Sequence, residues 1–250
     1  GTVPSCGVIP TKPEDETYKY TFKGWSPSLY AANKDQIYTA TFNQKEKSSI
    51  EEDAWTILIY MCGSDLESEN GLATSDLKEI KSVSGQPDDV NIVVQTGGCK
   101  SWERSAISSL DKNKSQRWHL ENKTFINDSS TTKVNMGLSS TLQDFLTWGM
   151  ETYPAEKTGV IFWNHGGGMF GVCYDEQYAD DSLDNYETQL AFKNAFASLG
   201  RTEKIEFIGY DACLMNVQDV AEFNSQFANY MVASEESEAG EGWDYDNWLD

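Results

Sequence analysis

Cys213 and His165 are the residues whose types and settings could do nucleophilic chemistry in this 250-residue chain. Cys213 follows Ile205-Glu206-Phe207-Ile208-Gly209-Tyr210-Asp211-Ala212, whose first half is short, apolar and β-prone. It precedes Val217-Gln218-Asp219-Val220-Ala221-Glu222-Phe223, whose apolar spacing is helical. The spacing therefore predicts a thiol where a strand turns into a helix, at the carboxyl edge of an open α/β sheet. A thiol there would lie near a helix N-terminus, whose partial positive charge favours thiolate. His165 belongs to Asn164-His165-Gly166-Gly167-Gly168, directly after the apolar run Gly159-Val160-Ile161-Phe162-Trp163. It is predicted at the same edge, on a neighbouring strand if the sheet is doubly wound. The glycines let backbone approach a ligand and leave N–H groups to face an oxyanion. A histidine and a cysteine at adjacent strand ends form an activated thiol nucleophile. The residues alone leave other readings open: a small buried cysteine without chemistry, or a histidine that only caps a strand. The glycines could serve a lipase-like oxyanion loop or a phosphate cradle. No G-x-S-x-G elbow occurs, and no G-K-[ST] follows the glycines.

The elements that must position this pair read as an α/β succession. Residues 55–61 form an apolar strand ending in Cys62-Gly63-Ser64-Asp65. A long helical pattern follows through Leu66, Leu72, Leu77, Ile80 and Val83, then a second strand over residues 90–95. Strand, helix and strand at these lengths predict a right-handed βαβ unit and a parallel sheet. Residues 97–136 are polar and irregular, with Ala106-Ile107 and residues 116–120 as an expected hairpin. Ser139 is expected to cap a helix through Leu142, Phe145, Leu146 and Met150 that ends near Pro154. A further helix is predicted over residues 186–199. Residues 230–233 form a last apolar run before an acidic tail rich in Gly and Trp.

Composition bounds the partners. The formal net charge of -21 argues against nucleic acid and anionic membrane, which reward basic patches. It mildly favours a cationic ligand. Apolar residues make up 39% and aromatics 12%, which is globular composition. The cysteines, Cys6, Cys62, Cys99, Cys173 and Cys213, are odd in number and lack CxxC spacing, so neither a disulfide framework nor a zinc site is indicated. No run reaches the length of a transmembrane helix. No leader is visible, though the chain begins at Gly1 and one could have been removed.

Residues 1–44 differ from the rest. Tyr18-Lys19-Tyr20-Thr21-Phe22 and Ile37-Tyr38-Thr39-Ala40-Thr41-Phe42 alternate like strands around a turn-like Lys23-Gly24-Trp25-Ser26-Pro27. The pattern resembles the later part of a Listeria–Bacteroides (internalin B-type) repeat, a small β-grasp-like module of bacterial surface proteins. An unrelated hairpin is the alternative. Residues 45–52 are polar and read as a linker, leaving 53–250 as the α/β domain.

Asn164-His165-Gly166-Gly167-Gly168 together with Tyr210-Asp211-Ala212-Cys213-Leu214-Met215 resembles the clostripain-like cysteine peptidases, family C11 of the caspase-like clan. Ile59-Tyr60-Met61 with Asp65-Leu66-Glu67, Trp102 with Arg117-Trp118, and Ser234-Glu235-Glu236 with Gly242-Trp243 and Tyr245 also resemble family segments. The resemblance implies a caspase-like, mostly parallel sheet flanked by helices, behind the small N-terminal β-rich module. It implies His165 and Cys213 as the catalytic pair, with the backbone N–H groups of Gly166 and Cys213 as oxyanion donors. It implies Asp211 as the acid beside a pocket for Arg or Lys, with Glu235 and Glu236 as weaker contributors to the same field. Cys62, Cys173 and His119 match no catalytic position. Cys62 reads as core or as a close neighbour of the site, and Cys173 as a regulatory or oxidisable thiol. His119 is expected solvated or packed in the hairpin. No cofactor is required for the implied chemistry. Calcium, used by some relatives, would have Asp244, Asp246 and Asp250 to bind it, although a solvated acidic loop fits their spacing better. The implied partners are proteins or peptides with Arg or Lys, and the implied location is secreted or on the bacterial cell surface. Relatives also continue beyond Trp248-Leu249, so the resemblance implies a domain incomplete at its C-terminus. Family members often mature by cutting after Lys or Arg in a loop past the histidine. Here no Lys or Arg lies between Lys157 and Lys193. A reading from another class is a catalytically silent or adhesive surface module.

Overall fold

The computed structural model describes residues 3–4, 10–15, 17–31, 34–46, 53–83 and 87–249. The chain divides into two compact units, residues 1–51 with 198–200, and residues 52–197 with 201–250. In the first unit β1 (Tyr18–Ser26) pairs antiparallel with β2 (Thr39–Glu46), and a register shift falls between Phe22 and Gly24. Gly24 and Trp25 thus lie inside a strand, not in the turn expected of them. The bulge absorbs the glycine, and Phe22 meets Trp25 and Phe42 edge-on. Of the expected linker, Lys45 and Glu46 continue β2, and residues 47–52 lie outside the described residues.

The second unit is built on a seven-stranded sheet. Its strands are β3 (Asp53–Cys62), β4 (Val90–Gly97), β5 (Lys114–Glu121), β6 (Thr124–Thr132), β7 (Ala155–Trp163), β10 (Ile205–Asp211) and β11 (Ala228–Val232), in the order β11-β10-β7-β3-β4-β5-β6. The pairs from β11 to β4 are parallel, and β5 and β6 close one edge antiparallel. The mostly parallel α/β expectation therefore holds. The central strands read as unbroken apolar runs because both faces are covered. Ile57, Ile59 and Met61 face one way, onto Leu77 and Ile80 of α2 (Leu72–Ser82) and Tyr245 of α6 (Tyr245–Trp248). Alternate residues face the other way: Tyr60 packs on Phe145 of α3 (Ser139–Thr152), and Phe162 on Phe192 of α4 (Asn185–Leu199). Phe192 in turn stacks on Phe227 of α5 (Gln218–Phe227).

Several elements differ from the sequence reading. The single long helix is two, α1 (Ser64–Asn70) and α2, because Gly71 at φ 67° takes a left-handed turn between them. The hairpin partner of β5 is β6, not Ala106-Ile107, which are buried outside any strand. Ser139 opens α3 as its first helical residue; the cap position is Leu138. The acidic stretch after the glycines folds into β8 (Val172–Asp175) against β9 (Asp181–Leu183). The helix after Cys213 begins only at Gln218.

Candidate active site

Three strands deliver the site. β3, β7 and β10 are neighbours, and Asp211 stands opposite Trp163, the last residue of β7. The chain beyond each strand end therefore meets the others at one carboxyl edge. His165 leaves β7 there and Cys213 leaves β10. The two segments touch at Gly166: a Cβ built on it would lie 2.1 Å from the Cys213 carbonyl oxygen. Only glycine lets the histidine loop lie this close to the cysteine turn.

The histidine loop is held from both sides. Cys173 donates to the His165 carbonyl at 3.4 Å, and Gly167 donates to the Gly171 carbonyl at 2.8 Å. These bonds flank the antiparallel bridge of Gly166 with Val172. Gly166 is the non-hydrogen-bonded member of that bridge, so its own N–H takes no part in it. Asn164, 4% exposed, donates through Nδ2 to the Cys62 carbonyl (2.6 Å) and Ser64 Oγ (2.7 Å). Its Oδ1 accepts from the Tyr174 N–H at 2.7 Å, and its own N–H donates to the Asp211 carbonyl at 3.2 Å. One buried amide thus ties the ends of β3, β7, β8 and β10, with its polar atoms satisfied. The imidazole is turned so that Nε2 lies 2.8 Å from Asp65 Oδ1.

Cys213 sits in the turn between β10 and α5 and not at the helix N-terminus that the sequence suggested. The turn exists because Leu214 adopts φ 65°, a left-handed conformation unfavourable for leucine. Partners on the later segment hold it there. Leu214 donates to the Glu236 carbonyl at 3.0 Å and Asn216 to the Ser234 carbonyl at 2.9 Å. The Glu238 N–H donates to Cys213 Sγ at 3.3 Å. Three non-glycine residues with positive φ adjoin or bond to the site's residues, where strain commonly concentrates: Ser64 beside Asp65, Leu214 beside Cys213, and Cys173, whose N–H bonds the His165 carbonyl.

Asp211 is buried at the end of β10, 5% exposed, and accepts from the Tyr245 hydroxyl. Burial raises its carboxyl to about 7, against the opposing hydrogen bonds of Tyr245 and the Trp243 backbone. The neighbouring charges of Glu238 and Glu79 act in the same upward sense. Asp76, beneath it, is raised further, to about 8, mainly by burial; its Oδ2 accepts from the Trp163 indole at 2.5 Å. Glu238 is raised too, by burial, although the Trp243 side chain and the Ala212 N–H bond it. Its Oε2 is buried without a hydrogen-bond partner among the described residues. Glu235 and Glu236 are exposed on the strip that holds the cysteine turn.

The remaining candidates fall elsewhere. Cys62, Cys99 and Cys173 are buried, and burial pushes each thiol well up, which is the inert setting rather than the reactive one. Cys6 lies outside the described residues. His119, on β5, pairs with Asp128 at 2.7 Å and packs near Tyr153. Of the expected calcium ligands, Asp250 lies outside the described residues. Asp244 and Asp246 gather with Glu79, but Glu79 accepts from the Tyr245 N–H, and the Asn247 amide donates to both aspartates. This arrangement gives calcium no support. Asp65, Asn164 and Glu238 are site residues that sequence reasoning did not assign. The signals for Asp65 were its place just past the end of the first apolar strand and the likeness of Asp65-Leu66-Glu67 to a family segment, neither of which gave it a role.

The family model "Clostripain family" matches residues 59–250. Clostripain from Hathewaya histolytica is 25% identical over 234 residues, covering 82% of this chain and 43% of that protein. A secreted C11 cysteine protease from Bacteroides thetaiotaomicron, solved with an irreversible peptide inhibitor, superposes with a TM-score of 0.60 at 23% identity, covering 78% of this chain and 52% of that one. An inactive zymogen C11 protease from Parabacteroides distasonis superposes with a TM-score of 0.58 at 21% identity, covering 80% of this chain and 54% of that one. The chain thus spans about half the length of these relatives.

Proposed function

Because this chain belongs to the clostripain family of cysteine peptidases, we propose that it is a cysteine endopeptidase cutting after basic residues, Arg and also Lys. The reading rests on one observation above the others: the His165 loop and the Cys213 turn meet at Gly166, with no side chain between their backbones. In this reading the Cys213 thiolate attacks the scissile carbonyl while His165 acts as base and then protonates the leaving amine. Water hydrolyses the resulting thioester with the same histidine as base. The Gly166 N–H, free of its bridge, and the Cys213 N–H receive the oxyanion. Neighbouring amides are already engaged, Ala212 by Glu238 and Leu214 by the Glu236 carbonyl.

Asp211 supplies the carboxylate for a guanidinium or ammonium, and the unpartnered Oε2 of Glu238 offers a second acceptor beside it. Glu235 and Glu236 contribute only field, since both are exposed. Residues 1–44 we read as part of an internalin B-type repeat, on the strength of the β1–β2 hairpin and its Phe22, Trp25 and Phe42 cluster. With that module, secretion or display on a bacterial surface is the natural location. No described helix is long and apolar enough to cross a membrane.

The test is labelling with an Arg chloromethyl ketone, followed by peptide mapping and a peptide-library digest. Covalent label on Cys213 and cleavage after Arg and Lys are expected. Label on another cysteine, or cuts after acidic or apolar residues, would overturn the assignment. Neither label nor cleavage would favour a silent surface module.

A further inference from the structure

Asp65 lies beyond the catalytic pair, yet its Oδ1 is 2.8 Å from His165 Nε2. Its position is constrained. Ser64 adopts φ 47°, an unfavourable left-handed conformation for serine, and this turn places Asp65 past the end of β3. The Ser64 hydroxyl donates to Asp65 Oδ1 at 3.1 Å and accepts from Asn164 Nδ2 at 2.7 Å. Asn164 precedes His165 in the chain, so one network fixes both the carboxylate and the ring it meets. Burial works to raise the Asp65 carboxyl, but the hydrogen bond and charge of His165, with Ser64, outweigh it and lower it overall. Asp65 therefore stays ionised in the pH range where a peptidase works.

We infer that Asp65 is the positioning residue of the catalytic histidine, holding the tautomer with the proton on Nε2 so that Nδ1 is left to take the proton of Cys213. This rests on the reading of His165 and Cys213 as the catalytic pair. A carboxylate on the far nitrogen fixes the ring and stabilises the imidazolium formed when the thiol gives up its proton. A merely structural ion pair would do neither. The molecule contains a ready comparison, because His119 meets Asp128 at 2.7 Å, through Nδ1, on β5 and β6, away from the site.

The experiment uses the full chain as wild type, Asp65→Asn, Asp65→Glu and Asp128→Asn. Hydrolysis of an Arg-terminated fluorogenic peptide gives kcat and KM separately. Iodoacetamide alkylation of Cys213, followed by peptide mapping, reports the thiolate without substrate. Asp65→Asn should lower kcat about 10- to 100-fold with KM within about threefold, as loss of an orienting group does in general acid–base catalysis. It should slow alkylation about tenfold. Asp65→Glu keeps the charge and should recover most of the kcat lost in Asp65→Asn. Asp128→Asn should stay within about twofold of wild type, since it removes the same kind of contact outside the site. An Asp65→Asn kcat near wild type, a loss confined to KM, or an equal loss in Asp128→Asn would overturn the inference. Circular dichroism checks folding. Should Asp65→Asn not fold, Asp65→Ala takes its place, with unchanged kcat counting against the role and reduced kcat at wild-type KM for it. A wild-type chain that cleaves nothing would sink the peptidase reading alone. In that case slower alkylation of Asp65→Asn still upholds the Asp65–His165–Cys213 coupling, and equal alkylation rates overturn it.

Discussion

The Tyr245 hydroxyl donates to Asp211 Oδ2 at 3.0 Å, with both side chains buried. A Cβ placed on Gly242 would lie 2.9 Å from Asp211 Oδ1, so residues 242–245 roof this carboxylate closely. A basic side chain that engages Asp211 has to share or displace the Tyr245 hydroxyl. The acid is held in a setting that disfavours its charge, so in the proposed reading its ionisation is tied to the arrival of a basic side chain.

Asp211→Asn preserves shape and removes the charge. On substrates with Arg before the scissile bond, kcat/KM should fall about tenfold or more, because a charged hydrogen bond contributes roughly 1.5–3 kcal/mol. A substrate with a neutral residue there should lose less. Steady-state kinetics on matched peptides make the comparison, and equal losses on both would make Asp211 a structural acid of the turn.

The same acid sets a pH dependence. Its carboxyl stands at about 7, so the charged form gains ground as pH rises through that value. The ratio of kcat/KM for an Arg peptide to that for a neutral peptide should therefore climb between about pH 6 and 8. Taking the ratio cancels the titration of the catalytic pair. In Asp211→Asn the ratio should be flat, and an unchanged slope there would assign the effect to another group.

The proposed nucleophile is tested by pairing Cys213, just past the end of β10, with Cys62, the last residue of β3. Cys213→Ala should abolish turnover and leave the melting temperature within a few degrees, since Cys213 is only half-buried. Cys62→Ala should keep most activity; its thiol is buried and its environment opposes thiolate. The reverse outcome would move the chemistry to Cys62.

A maturation prediction follows from the proposed specificity. No Lys or Arg occurs between Lys157 and Lys193, and the segment past the histidine is folded as β8 and β9. The chain should be active uncut, or be cut in the region of Lys112, Lys114, Arg117, Lys123 and Lys133. Intact-mass spectrometry of wild type beside Cys213→Ala decides it. A cut within residues 175–185 seen only in wild type would contradict both the maturation route and the basic specificity.

The proposed pair was legible as a candidate because each residue follows an apolar strand and one carries a glycine run. The remaining site residues were not, for definable reasons. Leu214 and Ser64 take left-handed backbone conformations that their side chains do not advertise, so the Cys213 turn read as a helix start and nothing marked Asp65, in the first turn of α1, as facing His165. Glu238 reaches Cys213 from the acidic tail, a contact set by tertiary pairing alone. In the sheet, β6 was missed because only Phe125 of its nine residues is buried, leaving no alternation to read on a polar edge strand.

Asp76 gives a prediction about stability rather than catalysis. Burial raises its carboxyl to about 8, with Asp211, Glu79 and Glu67 adding to the rise and the Trp163 indole opposing it. In the unfolded chain an aspartate titrates near 3.9. Between about pH 4 and 8 the unfolded chain has therefore released a proton that the native chain retains, and stability must fall as pH rises through this window. Asp76→Asn removes that titration and keeps an oxygen for the Trp163 N–H. Relative to wild type, the variant should gain melting temperature steadily from pH 5 to 8, with the difference shrinking toward pH 4. For a chain of this size each kcal/mol corresponds to roughly 2–4 °C, so a gain of several degrees at pH 8 is expected. Thermal melts by circular dichroism at fixed ionic strength measure it. A difference that does not change with pH would mean that Asp76 titrates alike in the folded and unfolded chain, and that the acids beneath the site impose no shared electrostatic load.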